Sequence, residues 1–111
     1  MKILNLLYEE DLKDKNHFCV ILVFNHFNKN SFINFIQSII EKKPLIAELC
    51  TAEYEEVRLN KQYRFESDEG ETVIVSYVDV LFYLKLATQK FVDVYADNNE
   101  KKIIEKLLEE I

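Results

Sequence analysis

Asn60-Lys61-Gln62-Tyr63-Arg64-Phe65-Glu66-Ser67-Asp68-Glu69-Gly70-Glu71-Thr72-Val73-Ile74-Val75-Ser76-Tyr77 is the stretch on which the fold reading turns. Tyr63 and Phe65 alternate with Arg64 and Glu66, the period of two that marks a half-buried strand. Thr72–Tyr77 is rich in β-branched residues and reads as a second strand. Between them Ser67–Glu71 is a turn, because Gly70, the only glycine of the chain, tolerates a positive φ. Two strands joined so briefly pair antiparallel. The meander extends back to Leu45, with Val57 and Leu59 alternating against Glu56 and Arg58, and with Asn60-Lys61-Gln62 as an earlier turn.

Upstream, His17–Phe27 contains the longest apolar run, Phe18–Phe24. Apolar at both odd and even positions, it is expected as a central strand covered on each side. Ser31–Lys43 follows as a helix, its stripe formed by Phe32, Phe35, Ile36, Ile39 and Ile40, with Pro44 as the stop. Downstream, Val80, Phe82, Leu84 and Leu86 alternate with polar neighbours. Asp79–Thr88 is therefore read as a strand paired with Phe91–Tyr95, although Ser76 and Asp79 also have the spacing of a helix cap. Asn98–Ile111 is a helix with Ile103, Ile104, Leu107, Leu108 and Ile111 on one stripe. Ile3–Tyr8 fits an edge strand or a short helix. The sum is one α+β domain over residues 1–111, an antiparallel or mixed sheet of about four to six strands with two principal helices.

The charge is unevenly spread. Of a net charge of −6, the whole is accounted for by residues 46–80, where nine acids face three bases. Such a field attracts cationic partners and repels nucleic acid and anionic lipid. Nucleic-acid binding also lacks its usual clustered bases, since both arginines, Arg58 and Arg64, lie inside the acidic segment. No apolar run approaches the ~20 residues that span a bilayer. The N-terminus meets Glu9-Glu10-Asp11 without a small-residue cleavage site, so it does not read as a signal peptide. A cytoplasmic protein with Cys19 and Cys50 as reduced, buried thiols is expected.

Catalytic signatures are scarce. A single glycine cannot supply a phosphate-binding loop, a dinucleotide-binding turn or a nucleophile elbow. His17 and His26 read as partly solvated residues at strand entry and exit, with no metal-ligand spacing around them. No enzyme activity, metal or cofactor is expected.

What remains is binding. Glu53, Glu55, Glu56, Glu66, Asp68, Glu69 and Glu71 fall on strand ends and on the hairpin, with Tyr54 and Tyr63 as amphipathic anchors beside them. The expected partner is a basic protein such as a toxin or nuclease, because proteins that hold nucleic acid carry positive clefts. An immunity protein or antitoxin fits this pattern best. A mobile-element nuclease inhibitor that mimics nucleic acid would use the same face. A structural subunit or weak homodimer would instead use the edge of the meander or the C-terminal helix.

Overall fold

A computed structural model describes residues 4–111. Four helices, α1 (Phe18–Phe24), α2 (Phe32–Ile40), α3 (Tyr77–Val94) and α4 (Asn98–Leu108), accompany four strands. The strands β1 (Leu45–Ile46), β2 (Cys50–Val57), β3 (Asn60–Ser67) and β4 (Thr72–Ser76) form an antiparallel sheet in the order β1-β2-β3-β4. The α+β class is as expected, with the strand count at the low end. No helix among the described residues is long and apolar enough to cross a membrane.

The sheet is built by alternation. Ala52 pairs with Phe65, which pairs with Val73, and Tyr54 pairs with Tyr63, which pairs with Val75; these rows face the helices. Ala52, Tyr63, Phe65 and Val75 are fully buried there. The rows between them, such as Glu53–Arg64–Ile74, face solvent. Helices α1 and α3 lie against β2–β4, α2 against β1, and α4 against α2 and α3. Gly70 takes φ +87° in the turn that joins β3 to β4, where Ser67 N donates to Glu71 O. The earlier turn sits at Arg58–Leu59, two residues before the expected Asn60-Lys61-Gln62, and Val57 pairs with Asn60 across it. Arg58 supplies the positive φ, 59°, that such a tight connection needs. Val57 and Leu59 consequently point away from the core, and Leu59 is 98% exposed.

Three expected strands, His17–Phe27, Asp79–Thr88 and Phe91–Tyr95, are largely helical instead. Phe18–Phe24 is α1, and within it Cys19, Val20, Val23 and Phe24 are buried while Phe18 is half exposed. That is helical spacing, but a run apolar at every position carries no period from which to read it. Asp79–Thr88 and Phe91–Tyr95 are not a strand pair, since both belong to the α3 region. Ser76 Oγ accepts from Asp79 N at 3.1 Å, and Val80, Tyr83, Leu84, Ala87, Thr88 and Phe91 form the buried stripe. The cap chose the helix. The two expected helices are present, α4 with a reciprocal cap between Asp97 and Glu100 at 2.8 and 3.0 Å. Ile103, placed on the core stripe, is instead exposed.

The N-terminal segment is neither of the expected forms over its described residues, and Ile3 lies outside them. Leu4–Tyr8 runs without regular structure, with Leu6 and Leu7 fully buried. The Asn25 side chain replaces a pairing strand. Its Oδ1 accepts from Leu6 N (2.9 Å) and Leu7 N (3.0 Å), and its Nδ2 donates to Leu7 O (2.8 Å). Removing that amide leaves three backbone groups without partners beside the core. Asn25→Ala is therefore expected to cost about 2–4 kcal/mol, read from the midpoint of urea unfolding. The opposite sign is expected at Thr88, whose Oγ1 is buried without a hydrogen-bond partner. Thr88→Val keeps the shape and removes the orphaned hydroxyl, so it should stabilise the protein by about 1 kcal/mol in the same assay.

Candidate functional site

The nine residues expected to meet a partner do not form one surface. Period two divides them first. Glu53, Glu55 and Glu66 project from the solvent face of the sheet, whereas Tyr54, Glu56 and Tyr63 belong to rows that face the helices. Asp68, Glu69 and Glu71 lie in the turn between β3 and β4.

Tyr63 requires a correction, because it is a core residue with no exposed surface to offer. Its hydroxyl donates to Lys43 O at 2.9 Å and, with Tyr77 Oη donating to Ile39 O at 2.8 Å, satisfies carbonyls at the C-terminal end of α2. Burial, followed by the neighbouring Tyr77 and Tyr54, holds its phenol well above the usual range. Tyr54 is half-buried, packs edge-on against both Tyr63 and Tyr77, and donates to Glu56 Oε1 at 2.9 Å. Lys42 Nζ lies 5.3 Å from the centre of the Tyr54 ring. Tyr54 and Glu56 are thus committed to one another, away from the hairpin turn.

On the solvent face Arg64 stands between two acids. Its guanidinium is 3.3 Å from Glu53 Oε2 and 3.4 Å from Glu55 Oε1, so one positive charge is shared between the two acids at the centre of the face. Five acids remain at one end of the sheet. Asp68 N donates to Leu49 O at 3.1 Å, which draws the β1–β2 connection and its Glu48 against the β3–β4 turn. Glu48, Glu66 and Asp68 line a shallow depression of about 150 Å³ there, with Glu69 and Glu71 beyond it on the turn. Among the described residues no lysine or arginine pairs with any of the five; the ion pairs present involve other acids. Glu48 is the residue that sequence reasoning left out. Flanked by Ala47 and Leu49, it carries no pattern of its own, and only the β1–β2 register brings it to this end.

The remaining chemistry-bearing groups are sequestered. His17 is buried rather than partly solvated, with Nδ1 2.8 Å from Tyr83 Oη. Lys13 N donates to the same oxygen at 2.9 Å. His26 Nδ1 accepts from Glu48 N at 3.4 Å. No group of three His, Cys, Asp or Glu side chains fit to hold a metal ion occurs among the described residues. Cys19 and Cys50 are free and buried. Burial, then the adjacent Cys19 thiol, pushes the Cys50 thiol up to about 12, with Asp68 adding to the rise.

The arrangement at the acidic end offers carboxylate oxygens in solvent-accessible positions and no base to occupy them. It can accept hydrogen bonds from a cationic surface. No protein-family model matches the chain, and no curated protein matches it in sequence.

The Cys50 environment gives a chemical test of the packing. At pH 8 an alkylating reagent should modify both cysteines far more slowly in the native protein than after denaturation, because the thiolate is the reactive form. Native labelling at the denatured rate, followed by mass spectrometry, would contradict the burial of this pair.

Proposed function

We propose that the protein is a non-catalytic binding protein that docks a basic protein through the acidic end of its sheet. The observation that carries this reading is the set of five unpaired acids, Glu48, Glu66, Asp68, Glu69 and Glu71, gathered from two connections and one strand end. Of the acids elsewhere on the sheet, Glu53 and Glu55 have Arg64 beside them and Glu56 accepts from Tyr54 Oη. Like charges concentrated without counter-charges cost stability by mutual repulsion, so a partner that supplies the counter-charge recovers it. The partner that best suits such a site is a toxin with a cationic cleft, above all a nuclease, whose need to hold phosphate obliges it to carry clustered lysine and arginine. Neutralisation of that toxin, the work of an immunity protein or antitoxin, is the specific form of the proposal. Tyr63 takes no part in it, and Glu53 and Glu55 take a lesser part than Asp68 and Glu69.

Electrostatic docking has a kinetic signature. Association with the partner should slow steeply as salt rises, while dissociation changes little. The double variant Asp68→Lys/Glu69→Lys should reduce the association rate by about tenfold or more at low salt, with a melting temperature that does not fall, because both side chains are exposed and their mutual repulsion is relieved. Glu105→Lys/Glu109→Lys, on the solvent side of α4, is the control for charge alone. The measurement is capture of basic proteins from a lysate of the native cells by each immobilised form, followed by surface plasmon resonance on what is captured. Equal capture by the parent and the Asp68/Glu69 variant, or loss only in the α4 variant, would remove the acidic end from the interface.

A further inference from the structure

Strand β4 closes one side of the sheet and pairs only with β3. No backbone hydrogen bond joins its outer edge to any described residue. Exposed edges in stable monomers are protected by a charge, a proline or a bulge. Thr72-Val73-Ile74-Val75-Ser76 has none of the three, and its pairing with β3 is regular throughout. Beside it lies a shallow apolar depression of about 400 Å³ whose lining includes Leu59, Ile74 and Val78, with Lys61 at its border. Ile74 is 46% and Val78 73% exposed. The 3-10 turn Lys15–His17 packs against β4, but it reaches Tyr83 of α3 through His17. No hydrogen bond joins this turn to Thr72–Ser76.

We infer that β4 is a self-pairing edge: two copies of this chain join their β4 strands antiparallel about a two-fold axis at Ile74. An edge of unpaired N–H and C=O groups is complementary to another strand, which restricts the occupant to an extended segment. The residues of β4 point to the strand itself. With the axis at Ile74, Thr72 meets Ser76 of the second copy and Ile74 meets Ile74 on the solvent face. On the helix side Val73 meets Val75. Hydroxyl faces hydroxyl, apolar faces apolar, and no like charges oppose each other, the pairs that stabilise antiparallel strands.

Charge supports the same occupant. The acidic end of the sheet holds Glu69 and Glu71, and the opposite end holds Arg58 and Lys61 with the single acid Glu56 across from Lys61; none of these forms an ion pair within the described residues. Antiparallel joining sets the acidic end of each copy beside the Arg58–Lys61 end of the other. Gln62 pairs with Ser76, the last residue of β4, so Lys61 lies just beyond that end of the strand, and the two-fold places Glu71 of the second copy, which precedes Thr72, at the same end. The match occurs twice and is complete with two copies, as an isologous interface requires. This self-pairing shares Glu69 and Glu71 with the proposed toxin contact and leaves Glu48, Glu66 and Asp68 to that contact.

Sedimentation equilibrium from micromolar to several hundred micromolar protein tests the inference. The parent should reach a dimer and no higher species. Ile74→Lys, which sets two ammonium groups face to face across the axis, should raise the dissociation constant by at least about tenfold. Lys61→Glu and Glu71→Lys should each weaken the dimer by about threefold to tenfold, two contacts being lost at once. The combined Lys61→Glu/Glu71→Lys protein should recover the parent affinity, a rescue that mere damage to the fold does not produce. Circular dichroism melting of each variant checks the fold, and should Ile74→Lys unfold, the charge exchange decides alone. A parent that stays monomeric throughout, a dimer indifferent to Ile74→Lys in a folded variant, or a double variant no better than its singles would overturn the self-pairing. In the first case the edge is left to a strand of another protein.

Discussion

One face of a four-stranded antiparallel sheet has to be kept from water, and most other features follow from how this chain does so. Ala52, Tyr63, Phe65 and Val75 form the covered rows. Burying each large side chain contributes roughly 1.5–3 kcal/mol, against the entropy of fixing the strands. Once those residues point inward, period two forces Glu53, Glu55, Arg64 and Glu66 outward, whatever they meet there. The inner face also solves a polar problem. Tyr63 and Tyr77 are long enough to carry hydroxyls to the end of α2, where Ile39 and Lys43 have carbonyls to satisfy. The aromatic bodies fill the layer between sheet and helix while their tips close the helix terminus.

The chain before α1 is too irregular to satisfy itself, and side chains supply what a ladder would. Asn25 takes up the backbone of Leu6 and Leu7, Tyr83 takes up Lys13 N and His17, and Lys90 Nζ reaches Asp11 Oδ2 at 2.7 Å. At Asp11 partial burial alone would raise the carboxyl pKa. The Lys90 ammonium and the Tyr8 N–H outweigh that effect, and the group is held below its ordinary value. A lowered carboxyl contributes its stability above the unfolded value, near 4, and loses it as the pH falls through the folded one. Because Lys90 is about a third exposed, the contribution is that of a partly screened pair, about 1 kcal/mol or less.

Alternation was readable where polar residues interrupt apolar ones. Tyr63, Arg64, Phe65 and Glu66 declare both strand and facing, and Gly70 marks the turn because only one glycine was there to be placed. Phe18–Phe24 is illegible for the opposite reason: with every position apolar, period gives no preference, and the decision passes to tertiary packing against β2 and β3. In α3 the alternation of Val80, Phe82, Leu84 and Leu86 was genuine but subordinate. The bond from Asp79 N to Ser76 Oγ and the buried series Val80, Tyr83, Leu84 and Ala87 both require a helix. For the acidic end, composition located the segment but not the surface. Arg64 removes Glu53 and Glu55 from the unpaired set, burial removes Tyr63, and the β1–β2 register adds Glu48. These are facts of pairing between positions far apart in sequence, which a single chain read along its length does not contain.

The same geometry explains why charges of both signs remain unpaired on one small sheet. Strand β3 has eight residues, Asn60 to Ser67, and so separates its ends by about 23 Å. The Debye length at physiological ionic strength is about 8 Å, so the acidic end and the Arg58–Lys61 end are nearly three screening lengths apart and do not compensate one another. Arg64, near the middle, is within reach of Glu53 and Glu55 and has already neutralised what it can. Each end therefore presents its own field to an approaching molecule. A net charge of −6 describes neither end: one attracts cations, the other attracts anions, and the antiparallel two-fold is the arrangement of two identical sheets that brings opposite ends together.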